Sequence, residues 1–360
     1  MCTAAHRHSL HCILPPYILS RIAENGSPAL RAVAIRSLLI DPTIRIVRAS
    51  NAGPVTGDIA RRRAAAGNIL TPSPLRTIRD AGGEPEAPGA TVVRREGDGP
   101  TGDVAVDEAY DGLGATFDLY WAAYQRNSID DAGMPLDATV HYDRDYDNAF
   151  WDGTQMVFGD GDGELFNRFT ISLDVIGHEL THGVTEKEAG LAYFNQSGAL
   201  NESISDVFGS LVKQRLLGQT AEQADWLIGA GLLTERVNGV ALRSMQAPGT
   251  AYDDPVLGKD PQPDHMDAFV RTNQDNGGVH INSGIPNRAF YLAATAIGGN
   301  AWDRAGRIWY NALLDPNTRA NTDFAGFARI TRDVAGRLYG RGSVEEAAVA
   351  QAWDAVGVIG

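Results

Sequence analysis

Two histidines four residues apart, His178 and His182, enclose Glu179 in the segment 174–182. Residues four apart lie on one face of a helix, so the two imidazoles can bind one zinc ion. Glu179 lies beside that metal without binding it, where it can take a proton from a water molecule that zinc has acidified. The pattern predicts zinc-dependent hydrolysis. The same five-residue motif also arises by chance in helices with two ordinary histidines.

A third ligand is predicted on the next strongly helical segment, where Glu202 follows His182 by twenty residues. Two histidines and one carboxylate leave the fourth zinc position open for water, as a catalytic zinc requires and a structural zinc does not. Asp206 lies one turn beyond Glu202, where it can accept the second ring N–H of a ligand histidine and fix its tautomer. Asn201 is assigned to the same supporting role. The alternative is an acidic helix face turned to solvent.

The elements that must position these groups follow from hydrophobic periodicity. From about residue 171 onward helical spacing dominates, and Gly218 supplies a stop for the helix that carries Glu202. The apolar residues of that helix are Leu200, Ile204, Val207, Phe208, Leu211, Val212 and Leu216. Residues 77–170 have short β-branched or aromatic runs between Gly and Asp clusters, which indicate a strand-rich domain. The segment 323–355 again predicts helices.

Residues 1–72 differ from the rest in charge and composition. They contain nine arginines and three acids, whereas the whole chain of 360 residues has a net charge of −14. A basic N-terminal piece and an acidic body attract each other, as a prodomain and its enzyme would. An acidic, solvated surface that aids solubility explains the charge of the body about as well. Apolar spacing predicts one helix after Pro15-Pro16 and a second, short one after Ser27-Pro28. Residues 51–67 are predicted to form an exposed connector.

Composition excludes some classes of protein. No run approaches the roughly 18–20 apolar residues of a membrane span, and the basic residues are too scattered for a nucleic-acid surface. The N-terminus lacks the apolar run of a signal peptide, so we expect secretion by a non-classical route or an intracellular location. The only cysteines are Cys2 and Cys12, so the body folds without disulfides.

Three segments carry a family resemblance: residues 178–182, 197–206 and 275–284. They resemble the signature blocks of the thermolysin family of zinc metalloendopeptidases, in order and with compatible spacing. The Pro15-Pro16 element resembles the protealysin-like branch, which has a short prodomain. The resemblance covers roughly residues 75–360 and implies a thermolysin-like α+β fold. The domains expected are a prodomain and linker (1–72), a strand-rich catalytic domain ending in the zinc helix (73–190) and a helical catalytic domain (191–360).

The resemblance also implies roles for particular residues. Glu179 becomes the general base, and His280, oriented by Asp275, stabilises the oxyanion of the tetrahedral intermediate together with Tyr193. Preorganised donors at that oxygen stabilise the transition state by a few kcal/mol. Without the resemblance, His280 is more simply a structural histidine in a glycine-rich loop, and Tyr193 a core aromatic.

Substrate contacts are implied in the same way. Asn148 and Ala149 match the edge segment that binds an extended substrate by strand addition, and Arg243 matches the arginine that binds a substrate carbonyl. An apolar pocket for the residue after the scissile bond is assigned to Phe166, Phe169, Val175, Ile228 and Leu242. Phe169 stands where a smaller aliphatic residue is expected, which leaves the apolar character of the pocket unchanged.

The resulting hypothesis is a monomeric zinc endopeptidase for proteins or peptides, preferring a bulky apolar residue after the scissile bond. It cuts itself free of its own prodomain between about residues 50 and 76. Candidate residues after that cut are Val55, Ile59, Ile69 and Leu70. A zinc aminopeptidase of the related class and a catalytically silent binding homologue are the alternatives. A metzincin is excluded because Thr185 and Glu188 replace its required Gly and His.

Calcium is not expected at the family's double calcium site. Lys213 stands where that site has an acid, and Asp225 is the only acid left in the loop that follows. We expect Lys213 to pair with Asp225 and Asp174, since Ca²⁺ needs six to eight oxygen ligands. The acid-rich stretch 159–164 lacks EF-hand spacing and is predicted to be a tight hairpin turn.

Overall fold

The computed structural model describes residues 11–51 and 72–358. Its main sheet has six strands: β1 (His11–Cys12), β2 (Arg76–Asp80), β3 (Thr91–Arg95), β4 (Leu136–Val140), β5 (Ala149–Trp151) and β6 (Gln155–Phe158). Their order in the sheet is β1-β5-β6-β4-β2-β3. The pairs β2–β4 and β4–β6 are parallel and the others antiparallel.

The strand-rich region also contains a helix that hydrophobic periodicity did not predict, α3 (Val104–Tyr124). It begins at Asp103, whose side chain accepts hydrogen bonds from the backbone N–H groups of Ala105 and Val106. Apolar residues cover most of its circumference, so α3 lies buried between the sheet and the zinc helix. Gly112 permits close contact there, since a Cβ at this position would lie 2.3 Å from Cδ1 of Ile176.

Two helices, α4 (Leu173–Lys187) and α5 (Asn195–Leu217), cross at the centre of the molecule. They approach closely because glycine stands on both sides of the crossing. A Cβ on Gly177 would lie 3.0 Å from Cα of Gly209, and one on Gly209 would lie 2.3 Å from the Asp174 carbonyl oxygen. The left-handed conformation of Gly218 ends α5, as its sequence predicts.

The remainder of the body is mostly helical and packs around α5. Its helices are α6 (Asp275–Asn282), α7 (Gly284–Ile297), α8 (Ala305–Leu313), α9 (Phe324–Tyr339) and α10 (Val344–Ala355). Two short antiparallel pairs complete it: β7 (Leu227–Ile228) with β8 (Arg243–Ser244), and β9 (Asp253–Asp254) with β10 (Gly258–Lys259). None of the helices in the described part of the chain is long and apolar enough to cross a bilayer.

The N-terminal segment adds β1 to the free edge of β5 and continues into α1 (Pro16–Asn25) and α2 (Pro28–Asn51). Pro16 starts α1 because its fixed φ suits the first helical turn. The second helix has 24 residues and is therefore longer than predicted. Of the predicted connector, only residue 51 lies within the described residues, and the candidate cleavage positions lie outside them.

The stretch 159–164 is not a hairpin turn, so that prediction was wrong. The stretch is a loop that follows β6 and leads to the 3₁₀ helix Phe169–Ile171. Within the segment between them, Phe166 forms an isolated bridge with Leu233. Asp162 shapes this loop by accepting hydrogen bonds from the N–H groups of Glu164, Leu165 and Phe166. Satisfying these backbone donors needs no partner strand.

Candidate active site

The predicted metal ligands converge where α4 crosses α5. The Nε2 atoms of His178 and His182 lie 3.0 Å apart, and each lies 3.4 Å from an oxygen of Glu202. All three side chains are buried. One potential ligand atom from each residue lies within 4.8 Å of those of the other two. The α4–α5 crossing is what brings residues of two helices to one point.

The chemistry of these donors fits a zinc ion. The Nδ1 atom of His178 bonds Asp206 Oδ1 at 2.8 Å, and Nδ1 of His182 bonds Asn201 Oδ1 at 2.8 Å. These contacts place the ring proton on Nδ1 and leave Nε2 as the lone-pair donor that a metal needs. The Oε2 atom of Glu202 is buried, lies 3.4 Å from Nε2 of His178 and has no hydrogen-bond partner of good geometry among the described residues. An orphaned carboxylate oxygen between two imidazole nitrogens is a site for a cation.

Asp206 connects this site to the rest of the helical region. Its two oxygens accept hydrogen bonds from Arg243 at 2.8 and 2.9 Å, and Oδ2 also accepts one from Asn287 at 2.8 Å. Burial raises the pKa of this carboxyl group, but Arg243 and His178 outweigh burial and lower it to about 2. Asp206 is therefore ionised and holds one ring and one guanidinium in fixed orientations.

Glu179 is buried next to the ligand histidines and faces the edge strand β5. Its Oε2 accepts a hydrogen bond from the Trp151 backbone N–H at 3.1 Å. This contact fixes the carboxylate beside the strand that is expected to bind substrate. A carboxylate so placed can receive a proton from water on one side and deliver it to a bound peptide on the other.

A second group of polar side chains faces Glu202 from α6. The first residues of α6 have left-handed backbone angles, and this tight turn brings Asp275 against His280. Asp275 accepts hydrogen bonds from His280 through Nδ1 at 2.6 Å and through the backbone N–H at 2.9 Å. Burial lowers the pKa of His280, but Asp275 and Glu202 outweigh it and raise this pKa to about 9. The Tyr193 hydroxyl lies 3.1 Å from Nε2 of His280 and donates a hydrogen bond to Glu202.

Main-chain atoms of the N-terminal segment occupy the cleft between these groups. The Ile13 N–H donates to the Ala149 carbonyl at 3.3 Å, and the Leu14 N–H donates to Oδ1 of Asn148 at 3.1 Å. Arg243 donates to the Ile13 carbonyl at 3.1 Å. The Cys12 carbonyl lies 3.2 Å from Nε2 of His280. The cleft therefore holds an extended chain by its backbone.

The side chains predicted to form the apolar pocket are all buried in one hydrophobic cluster. That cluster includes Phe166, Phe169, Val175, Ile228 and Leu242, and Ile13 is fully buried in it. Phe166 and Phe169 pack with ring centroids 6.0 Å apart. In the β7–β8 pair, Ile228 lies opposite Arg243. The same two strands therefore hold a residue of the apolar cluster and the arginine that binds the Ile13 carbonyl.

Comparison with known proteins agrees with this geometry. Residues 84–186 match the thermolysin metallopeptidase catalytic domain, and residues 189–358 match the alpha-helical domain of the same metallopeptidases. The chain belongs to the thermolysin family. Within this family the assembled His178, His182 and Glu202 are a zinc site, and the protein is a zinc metalloendopeptidase.

Relatives extend the match over the N-terminal segment. An extracellular metalloprotease of Pectobacterium carotovorum is 54% identical over 96% of both chains. Protease PrtS of Photorhabdus is 49% identical over 96% of this chain and 91% of that protein. The solved precursor of protealysin from Serratia proteamaculans superimposes with a TM-score of 0.86 and 54% identity, covering 97% and 99% of the two chains. This thermolysin-family protease is thus made as a precursor, in a protealysin-like form.

Several contacts of the site were not predicted. They are the backbone N–H of Trp151, the amide of Asn287, the Ser205 hydroxyl 3.0 Å from Nδ1 of His182, and the backbone of the N-terminal segment. Ser205 had a sequence signal, because it lies on α5 between Glu202 and Asp206. The backbone contacts carry no residue-type signal at all.

We expect Gly209→Ala to destabilise this thermolysin-family protease and to weaken zinc binding. The new Cβ would lie 2.3 Å from the Asp174 carbonyl oxygen and 3.0 Å from the His178 backbone nitrogen, so α4 and α5 must separate. Overpacking of this kind costs about 1–3 kcal/mol. An alanine in a helix otherwise gains up to about 1 kcal/mol over glycine.

Denaturant unfolding and competition with a zinc chelator measure both effects. Gly99→Ala is the matched control, since its Cβ would meet nothing within 4 Å. A Gly209→Ala variant as stable as the parent would show that the helices do not need this contact.

Proposed function

We propose that the cleft binds peptide substrates as it binds the N-terminal segment, and that Glu179 activates the attacking water. Ala149, Asn148 and Arg243 would hold the substrate main chain around the scissile bond. The observation that carries the proposal is the set of hydrogen bonds with the backbone of the N-terminal segment: Ala149 and Asn148 accept from the N–H groups of Ile13 and Leu14, and Arg243 donates to the Ile13 carbonyl. They leave the Cys12 carbonyl beside His280, where a scissile carbonyl would lie.

The residues of the site have separate roles in the proposed reaction. Zinc, when bound, supplies a Lewis acid that acidifies water and polarises the carbonyl. Glu179 takes the proton from the attacking water and transfers it to the leaving amine. His280 and Tyr193 donate hydrogen bonds to the oxygen on which negative charge develops, and Asp275 keeps His280 protonated and oriented. Asp206 and Asn201 hold the ligand histidines in one tautomer.

The same arrangement supports a preference for a bulky apolar residue after the scissile bond. Ile13 takes that position, and its side chain is buried with Phe166 and the other pocket residues. Fully burying such a side chain contributes about 1.5–3 kcal/mol. We extend the proposal to self-processing: the precursor removes its own prodomain by cutting between about residues 50 and 76.

Peptide assays test the proposed specificity. The processed enzyme is given casein, a peptide blocked at its N-terminus with leucine after the scissile bond, and the same peptide with glutamate at that position, with and without a zinc chelator. We expect cleavage of casein and of the leucine peptide, little cleavage of the glutamate peptide, and inhibition by the chelator. Equal rates for the two peptides would contradict the apolar preference, and a requirement for a free N-terminus would indicate an aminopeptidase.

We also propose that Lys213 takes the place of calcium. Its ammonium lies 2.7 Å from Asp174, 2.9 Å from Asp225 and 2.7 Å from the Leu227 carbonyl oxygen. Burial lowers the pKa of Lys213, but the two acids outweigh burial and raise it, so the ammonium is charged. A charged ammonium bound to these oxygens leaves no position for a divalent cation.

A calcium-selective chelator should therefore leave the melting temperature nearly unchanged, whereas Lys213→Ala should lower it. Asp174 is buried, and removing its partner leaves an uncompensated charge. Each kcal/mol lost corresponds to roughly 2–4 °C in a domain of this size class. Lys187→Ala serves as the control, and the measurement is calorimetry with and without calcium. A large rise in melting temperature with calcium would refute the substitution.

The remaining expectations concern where and with what the enzyme acts. We propose that the enzyme acts outside the producing cell after non-classical secretion, with an intracellular location as the alternative. We also propose that it acts as a monomer, without nucleic-acid or membrane binding. The location is supported by the extracellular metalloprotease of Pectobacterium, which matches almost the full chain. Immunoblots of culture supernatant and lysate test the location. Light scattering tests the monomer, and retention on DNA or anionic vesicles would contradict the proposed partners.

A further inference from the structure

Two carboxyl groups meet just behind the edge strand that contacts the N-terminal segment. Asp147, the residue before Asn148, is buried, with only 1% of its surface exposed. Its Oδ1 accepts a hydrogen bond of 2.8 Å from the backbone N–H of Asp162. The Oδ2 atoms of Asp147 and Asp162 are both buried and receive no hydrogen bond from any described group. The two side chains lie within hydrogen-bonding reach of each other.

This pair joins two pieces of the proposed substrate cleft. On one side, Asn148 and Ala149 bind the extended chain. On the other side, Oδ1 of Asp162 accepts the backbone N–H of Phe166, a residue of the apolar pocket, at 3.0 Å. The same two segments are further tied by the bond from the Gly159 N–H to the Asn148 carbonyl at 3.0 Å. The position of the binding edge relative to the pocket thus depends on contacts around Asp147.

We infer that Asp147 is a positioning residue, held as a neutral carboxyl group that donates a hydrogen bond from Oδ2 to Oδ2 of Asp162. One shared proton satisfies both orphaned oxygens, whereas two ionised groups would repel each other in a buried place. Burial raises the pKa of Asp147 well above its ordinary value, and the charges of Asp162 and Asp145 raise it further. The inference rests on the proposed roles of Asn148 and Ala149.

The sign of the pH effect follows from this pKa. Because the pKa of Asp147 is raised in the folded protein, the hydrogen bond is present at low pH and is lost as the pH rises through that value. Loss of the proton separates the binding edge from the pocket loop. We therefore expect KM to rise with pH by about three- to tenfold, the net worth of one hydrogen bond, while kcat changes less.

The test compares Asp147→Asn with the parent in the enzyme after removal of the prodomain. An amide donates the same hydrogen bond at every pH, so Asp147→Asn should keep the parent's low-pH KM and lose the alkaline rise. Asp147→Leu, which can make neither bond, should raise KM at all pH values. The hydrogen bond with Asp160 raises the pKa of His141 to about 9, so only the comparison of variants identifies Asp147. The substrate is the blocked leucine peptide.

Each outcome decides the inference. Superimposable pH profiles of KM for the parent and Asp147→Asn would overturn it, and so would an Asp147→Asn variant that binds substrate more weakly than the parent at low pH. If calcium or magnesium raised the melting temperature of the parent but not that of Asp147→Asn, a cation and not a proton would join the two carboxylates. That result would also overturn the inference. Asn148→Ala tests the proposed substrate contact separately from the inference about Asp147. If this variant leaves KM unchanged, the proposed role of the binding edge fails, whatever the Asp147 variants show.

Discussion

Replacing Glu179 with alanine should reduce kcat/KM to below a few per cent of the parent value while zinc stays bound at one ion per chain. General acid–base catalysis by one residue is worth about 10²–10⁴ in rate. The other carboxylates next to the ligand histidines are already engaged: Glu202 is a ligand, and Asp206 is held by His178 Nδ1 and Arg243. Zinc should remain because both histidines, Glu202 and the bonds to their Nδ1 atoms are untouched. Peptide kinetics and elemental analysis measure the two quantities.

The same variant tests self-processing. Expressed alone, the Glu179→Ala precursor should keep its prodomain, whereas Glu235→Ala, a change of an exposed glutamate, should be processed like the parent. Intact mass identifies the cut. Normal trimming of Glu179→Ala would assign the cut to another protease, and substantial hydrolysis by this variant would refute the proposed mechanism.

Replacing Asp206 with alanine should damage both stability and the metal site. Arg243 is buried and donates two hydrogen bonds to the Asp206 carboxylate. The change therefore leaves a buried guanidinium charge without this counterion. Breaking one partner of a buried pair costs about 3–5 kcal/mol. His178 loses the group that orients its ring, and loss of such a supporting partner typically weakens metal binding by about 10–100-fold.

Chemical denaturation and zinc competition measure these effects, with Asp118→Ala on an exposed turn of α3 as the control. A double variant, Asp206→Ala with Arg243→Met, should recover part of the stability because it removes the stranded charge. It should not recover the zinc affinity. A single Asp206→Ala variant with unchanged zinc affinity would show that the second bond of His178 is dispensable.

Much of this site could be predicted because it consists of short-range patterns. The spacing of His178 and His182 on one helix, and Asp206 one turn after Glu202, follow from helix geometry alone. Lys213 was expected to pair with Asp174 and Asp225, and both ion pairs are present. The roles of His280 and Tyr193 came from the family resemblance, since nothing near them in sequence indicates that they meet Glu202.

What could not be predicted depends on burial from several sides or on backbone atoms. Helix α3 has apolar residues around most of its surface, so it shows little of the one-sided periodicity that reveals a helix. The loop 159–164 is held by Asp162 accepting three backbone N–H groups, an arrangement that resembles a hairpin in residue types. The contact of Trp151 with Glu179 uses a backbone N–H, which every residue except proline has.

The edge strand β5 has a consequence for the kind of protein this enzyme can cut. Ala149 and the preceding Asn148 bind the backbone N–H groups of Ile13 and Leu14. They can do so because the N-terminal segment is extended and lies alongside the strand. A helix or a paired strand in a folded protein has already used those N–H and carbonyl groups. Under the proposed binding mode, local unfolding of the target limits cleavage before its sequence does. We therefore expect native proteins to be nicked at loops and termini and denatured ones to be degraded throughout.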